Sequence, residues 1–93
     1  MRRSVKGETI RLDGTPAMLS EILSKLEAYV DARLNGFELR SFAGGIVASG
    51  DRRADQLAAD IFSRFVLAEE GVISDEQRDS ELRGLLAGAR AMV

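Results

Sequence analysis

Arg52 and Arg53 stand between two carboxylates, Asp51 and Asp55, in a chain with neither histidine nor cysteine. Carboxylates four residues apart could hold a metal ion or divide acid and base roles. Asp51, however, occupies the place where a following helix needs an N-cap, and both anions suit the positive pole of that helix. The pattern therefore reads as a cap and a surface charge. Without histidine or cysteine the chain lacks the usual neutral-pH base, the thiolate nucleophile and the usual zinc ligands. Gly44, Gly45 and Gly50 could form a glycine-rich loop, but no GxxxxGK followed by Ser or Thr occurs, so a phosphate cradle is not expected. The acidic run from Glu69 to Glu81 lacks the ligand spacing of a calcium loop and reads as a solvated face. Gly84 and Gly88 form a GxxxG, which in a helix outside lipid does no more than permit close approach. No cofactor, metal site or catalytic activity is expected, which leaves binding as the class of function.

The elements that must position these residues follow from periodicity. Gly7–Leu12 alternates apolar and polar residues as a short strand does. Thr15 and Pro16 suit an N-cap and a first helical position. From Ala17 to Leu34, Leu19, Ile22, Leu23, Leu26, Val30 and Leu34 mark one helical face, and Asn35-Gly36 suits its stop. Residues 36–51 predict a β-hairpin, with Gly44-Gly45 as the primed turn that accepts positive φ. Asp51 then caps a helix with the stripe Ala54, Leu57, Ala58, Ile61, Phe62 and Phe65, closed by Gly71. Ser74 and Gln77 form a capping-box pattern for an additional C-terminal helix over residues 74–93.

The chain has 93 residues, 45% hydrophobic and 30% charged, enough for one core but not two. A single α/β domain over residues 1–93 is expected, with residues 1–7 flexible. No apolar run approaches the roughly 18 residues of a membrane span, and the basic start lacks the apolar stretch of a signal peptide. A cytoplasmic protein without membrane contact is expected. The formal net charge is −2, distributed as a basic amino end and an acidic region from Glu69 onward.

The simplest layering of these elements is an α+β two-layer sandwich of order βαββαα, a three-stranded sheet with helices on one face. Its outer sheet face would carry Phe42 and Val47 as a cross-strand pair beside Arg11 and Arg40. Such a face suits two partners. Bases of single-stranded RNA could stack on Phe42 while Arg11, Arg40, Arg52 and Arg53 meet the phosphates. Alternatively, a second copy could bury the patch, giving a dimer or a ring.

The succession ETIRL, the helical apolar spacing from Met18 to Glu27, NGFELRSFAGGIVASGD, an alanine-rich helix and GVISDE resembles the amino-terminal KH-like domain of PhoH-like ATPases, from Glu8 to about Leu86. The resemblance implies a KH-like fold, contact with single-stranded RNA, and an accessory role beside a P-loop ATPase domain. This chain lacks both that P-loop and the GxxG loop with which KH domains clamp nucleic acid, so ATP hydrolysis is not carried over.

Overall fold

The side chain of Asn35 accepts a hydrogen bond from the Glu38 backbone N–H at 2.8 Å, and the Glu38 carboxylate accepts one from the Asn35 backbone N–H. That reciprocal capping box starts a helix where a strand was expected. The computed structural model describes residues 17–46 and 48–92, and among them there are four helices and no strand. They are α1 (Ala17–Val30), α2 (Gly36–Gly44), α3 (Arg52–Glu69) and α4 (Asp75–Met92). The expected α+β sandwich, with the KH-like βαββαα order and three-stranded sheet implied by the resemblance, is corrected to an all-α arrangement. The strand expected at Gly7–Leu12, the cap at Thr15 and Pro16, and the flexible residues 1–7 lie outside the described residues.

The physical reason lies in a segment whose pattern satisfies two periods. Phe37, Leu39 and Ser41 alternate as in a strand, but Leu39, Phe42, Ala43 and Ile46 also recur at helical spacing. Leu39 and Ala43 are buried, whereas Phe37 is 75% exposed, so the helical set is the one that reaches the core. Gly45 has φ −83° and ψ −9° and donates back to the Ser41 and Phe42 carbonyls, an ordinary helix end and not a primed turn. Gly44 serves close packing: a methyl group there would stand 2.8 Å from Phe62 Cε1 on α3.

Helices α1 and α3 pack on each other, and each also packs against both α2 and α4. Fully buried Ile22, Leu26, Leu39, Ile61 and Leu82 come from all four helices, so α4 is part of the core and not an appendage. Side-chain ion pairs join neighbours at the surface: Arg40 to Glu69 between α2 and α3, Arg64 to Glu81 between α3 and α4, and Arg90 to Glu27 between α4 and α1. Exposed pairs of this kind contribute about 0–1 kcal/mol each; apolar burial carries the fold.

Two helices end in the same way. At the end of α3, Gly71 at φ +78° donates to the Ala68 carbonyl and Val72 donates to the Leu67 carbonyl, the paired bonds of a Schellman motif. At the end of α1, Ala32 donates to Tyr29 and Arg33 to Ala28, but the left-handed position is filled by alanine at φ +64°. Its Cβ makes that conformation unfavourable. Ala32→Gly is expected to raise stability by about 0.5–1 kcal/mol after allowing for the greater freedom of glycine in the unfolded chain, measured as a higher urea midpoint at unchanged slope.

Candidate functional site

Because α3 and α4 form an antiparallel hairpin closed at residues 70–74, the first turns of α3 lie beside the last turns of α4. Between them an open groove of about 420 Å³ is lined by Leu57, Gln56 and Asp60 of α3, Gly84, Leu85, Gly88 and Ala89 of α4, and Leu19 of α1, with Arg52 and Arg53 at its rim. Its lining is predominantly apolar. A methyl group built on Gly84 or Gly88 would meet none of the described residues within 4 Å, so packing among those residues requires neither glycine. In a helix interior each is less favourable than alanine by about 1 kcal/mol. Together they surrender about 2 kcal/mol, a large share of the 5–15 kcal/mol typical of a whole domain, on the surface that lines the groove.

Two arginines stand at its rim. Arg52 and Arg53 are exposed, and neither has an ion-pair partner among the described residues. The carboxylates beside them are engaged locally: Asp51 accepts from the Arg53 backbone N–H at 2.9 Å, and Asp55 from that of Ser49 at 2.9 Å. The bonds from Ser49 hold the Asp55 carboxyl below its ordinary range. On the α4 side, residues 82–92 contain Arg83 and Arg90 and no carboxylate. The acidic residues from Glu69 to Glu81 cluster toward the opposite, closed end of the hairpin.

The described members of the expected binding face are divided between two places. Arg40 is committed to Glu69, with Nε 2.5 Å from Oε2, and its guanidinium lies over the Phe62 ring at 5.1 Å. Phe42 is half-buried against the core, with the Lys25 ammonium 5.3 Å from its ring centroid. Glu69, the anchor of Arg40, lies about 25 Å along α3 from Arg52 and Arg53, at 1.5 Å per residue. The sheet expected to carry Phe42 and Val47 beside Arg11 and Arg40 is absent among the described residues, where Arg40 and Phe42 lie on α2 instead. Arg11 and Val47 lie outside the described residues. Of the nominated set, Arg52 and Arg53 remain together at one site. In the sequence Leu57 reads as part of a core stripe and the Gly84-Gly88 GxxxG as permitting no more than close approach; the groove beside the glycines is what the structure adds.

A second, polar cleft of about 660 Å³ lies at the other end, lined by Tyr29, Arg33, Asn35, Glu38, Asp79 and Arg83 among others. Here the Tyr29 hydroxyl donates to Asp79 Oδ1 at 2.7 Å, and Arg78 Nε donates to the same oxygen at 2.9 Å. Burial raises the pKa of the Tyr29 phenol, and its bond to Asp79 adds to the rise, so it stays a donor at neutral pH. For Asp79, burial acts to raise the pKa, but the bonds from Arg78 and Tyr29 with the charges of Arg78 and Arg83 outweigh it, and the carboxyl is held below its ordinary range. A depressed folded pKa means that this contribution to stability is fully present above the unfolded value of about 3.9 and is lost as pH falls through the folded value. Asp79→Asn is expected to lower stability at pH 7 and to flatten the part of the acid limb below about pH 4, as measured by urea unfolding across pH. This network explains its own residues as internal ties between α1 and α4.

Among the described residues there is no group of three or more His, Cys, Asp or Glu side chains placed to hold a metal ion, and no helix long and apolar enough to cross a membrane. Compared with family models, curated proteins and solved structures, the chain matches none of them.

Proposed function

We propose that this chain is a non-catalytic protein-interaction module whose contact surface is the groove between the open ends of α3 and α4. The observation that carries this is the coincidence of an apolar trough with two helix-weakening glycines bared toward it. A helix laid in a groove between two helices is a recurrent mode of peptide recognition, and bare glycine backbone shortens the distance at which helices can pack. The oligomerising sheet face expected from sequence has no counterpart here, so the contact surface moves to the helical hairpin.

The test is a titration of the ¹⁵N-labelled chain with a synthetic helical peptide of about 15 residues bearing an alanine and leucine face, followed by amide shifts. Shifts concentrated at Leu57, Gly84, Leu85 and Gly88 support the groove as a protein-binding surface. The same labelled chain titrated with single-stranded RNA at two salt concentrations covers the other class of partner. Shifts confined to Arg52 and Arg53 that strengthen as salt falls, with no response to the peptide, would replace the protein partner with a phosphate backbone.

A further inference from the structure

The groove has a polarity that its apolar floor alone would not give. One end carries Arg52 and Arg53, both exposed and without an ion-pair partner among the described residues, while the neighbouring Asp51 and Asp55 carboxylates accept bonds from the backbone. The α4 wall has no carboxylate from Leu82 onward. Among the described residues that line the groove the only acidic side chain is Asp60, and it accepts a bond from Gln56 Nε2 at 3.1 Å. An occupant thus meets apolar surface along the floor and, at one end, the guanidinium groups of Arg52 and Arg53, with the Asp51 and Asp55 carboxylates outside the lining.

We infer that the occupant is an amphipathic helix of a partner protein, with small and aliphatic residues on one face and carboxylates at the end that meets Arg52 and Arg53. This rests on the groove being the contact surface. Gly84 and Gly88 are one helical turn apart on the same face of α4, so they offer a strip of bare backbone matched to a helix lying along it. Apolar contact supplies the affinity, and the arginines select the partner and fix its direction, because charges at a rim govern encounter and choice of partner more than tightness. A helix with lysines in place of those carboxylates would bring like charges together at the same end.

The experiment uses two synthetic helical peptides with the same alanine and leucine face, one carrying two glutamates at the end nearest the arginines and the other two lysines there. Their affinities for the full chain are compared by amide shifts. The glutamate peptide is expected to bind about tenfold more tightly at low salt, the ratio shrinking as salt is added. In the Arg52→Glu/Arg53→Glu double variant the order is expected to invert. Gly88→Leu fills open space with a better helix former, so it should raise the melting temperature by about 4 °C while abolishing binding of both peptides. That joint outcome separates a blocked groove from a damaged fold.

Equal affinity for the two peptides would overturn the acidic partner and leave the groove standing as a protein-binding surface. No groove shifts with either peptide would overturn both. Shifts of the same amides on simple dilution of the free chain would assign the groove to a second copy. Contacts in the free chain from residues 1–16 to Leu57 or Leu85 would assign it to the chain's own amino end. Either result would overturn the partner helix.

Discussion

Phe65→Ala is expected to lower stability by about 3–5 kcal/mol, more than any other single truncation considered for this chain. The ring is 4% exposed and lies where three other elements converge on α3. Tyr29 of α1 meets it edge-on, with centroids 5.7 Å apart at 75°. Arg78 of α4 lies over its face at 5.1 Å. At the start of α2, a methyl group on Gly36 would stand 3.2 Å from its Cε1, so the backbone there is fitted to the ring. Truncation removes the apolar transfer energy and leaves a cavity that three helices must collapse to fill. The urea midpoint should fall at unchanged slope, and the melting temperature by more than about 10 °C for a chain of this size. Phe65→Leu should lose less than half as much. A double-mutant cycle pairing Phe65→Leu with Tyr29→Leu should return a coupling of about 0.5–1.5 kcal/mol, the part specific to the aromatic contact. If Phe65→Ala cost under about 1 kcal/mol, the packing of α1, α2 and α4 around this ring would be wrong.

Leu82→Ala is expected to cost about 2–5 kcal/mol. Leu82 is the fully buried side chain that α4 contributes to the core, and it decides whether the last helix is integral. If α4 were only tethered, its truncation would change stability by less than about 0.5 kcal/mol and unfolding would show two transitions. Packed as it is, the variant should unfold in a single transition with an earlier midpoint. Because Leu82 lies two residues before Gly84, the same variant should also weaken any ligand of the groove, whereas Gly88→Leu should abolish binding while stabilising the chain.

Helices α1, α3 and α4 were legible because their apolar stripes run for several turns, a length at which only one period fits. Asp51, Gly71 and Ser74 were read correctly as end signals: Asp51 accepts from Arg53, Gly71 takes the left-handed position, and Ser74 Oγ accepts from the Gln77 backbone N–H. Residues 36–46 were misread for a specific reason. Over so short a stretch Leu39 and Ala43 fit both a strand and a helix, and the glycine pair at 44–45 tips the pattern toward a hairpin. Asn35 and Glu38, spaced as a capping box, pointed the other way, but Asn35-Gly36 was assigned to the end of α1. That helix ends at Val30 instead, with Ala32 in a conformation that its side chain gives no hint of. Once the hairpin fell, the binding face built on Phe42 and Arg40 fell with it. Arg52 and Arg53 stay side by side because their position depends only on the start of α3. The groove itself could not be read from sequence, since its lining is assembled from α1, α3 and α4, segments far apart along the chain.

The way the helices are joined also bears on how fast the chain finds its structure. Helix α3 packs against the helix before it and the helix after it, and the connections at 45–51 and 70–74 are short. These contacts close small loops and lose little chain entropy. Among the described helices, only the docking of α1 on α3 and α4 brings together segments far apart along the chain. Such a topology belongs with helical domains that fold in microseconds to milliseconds. Nothing in the way the described helices are joined is therefore expected to hold the chain back from its folded state.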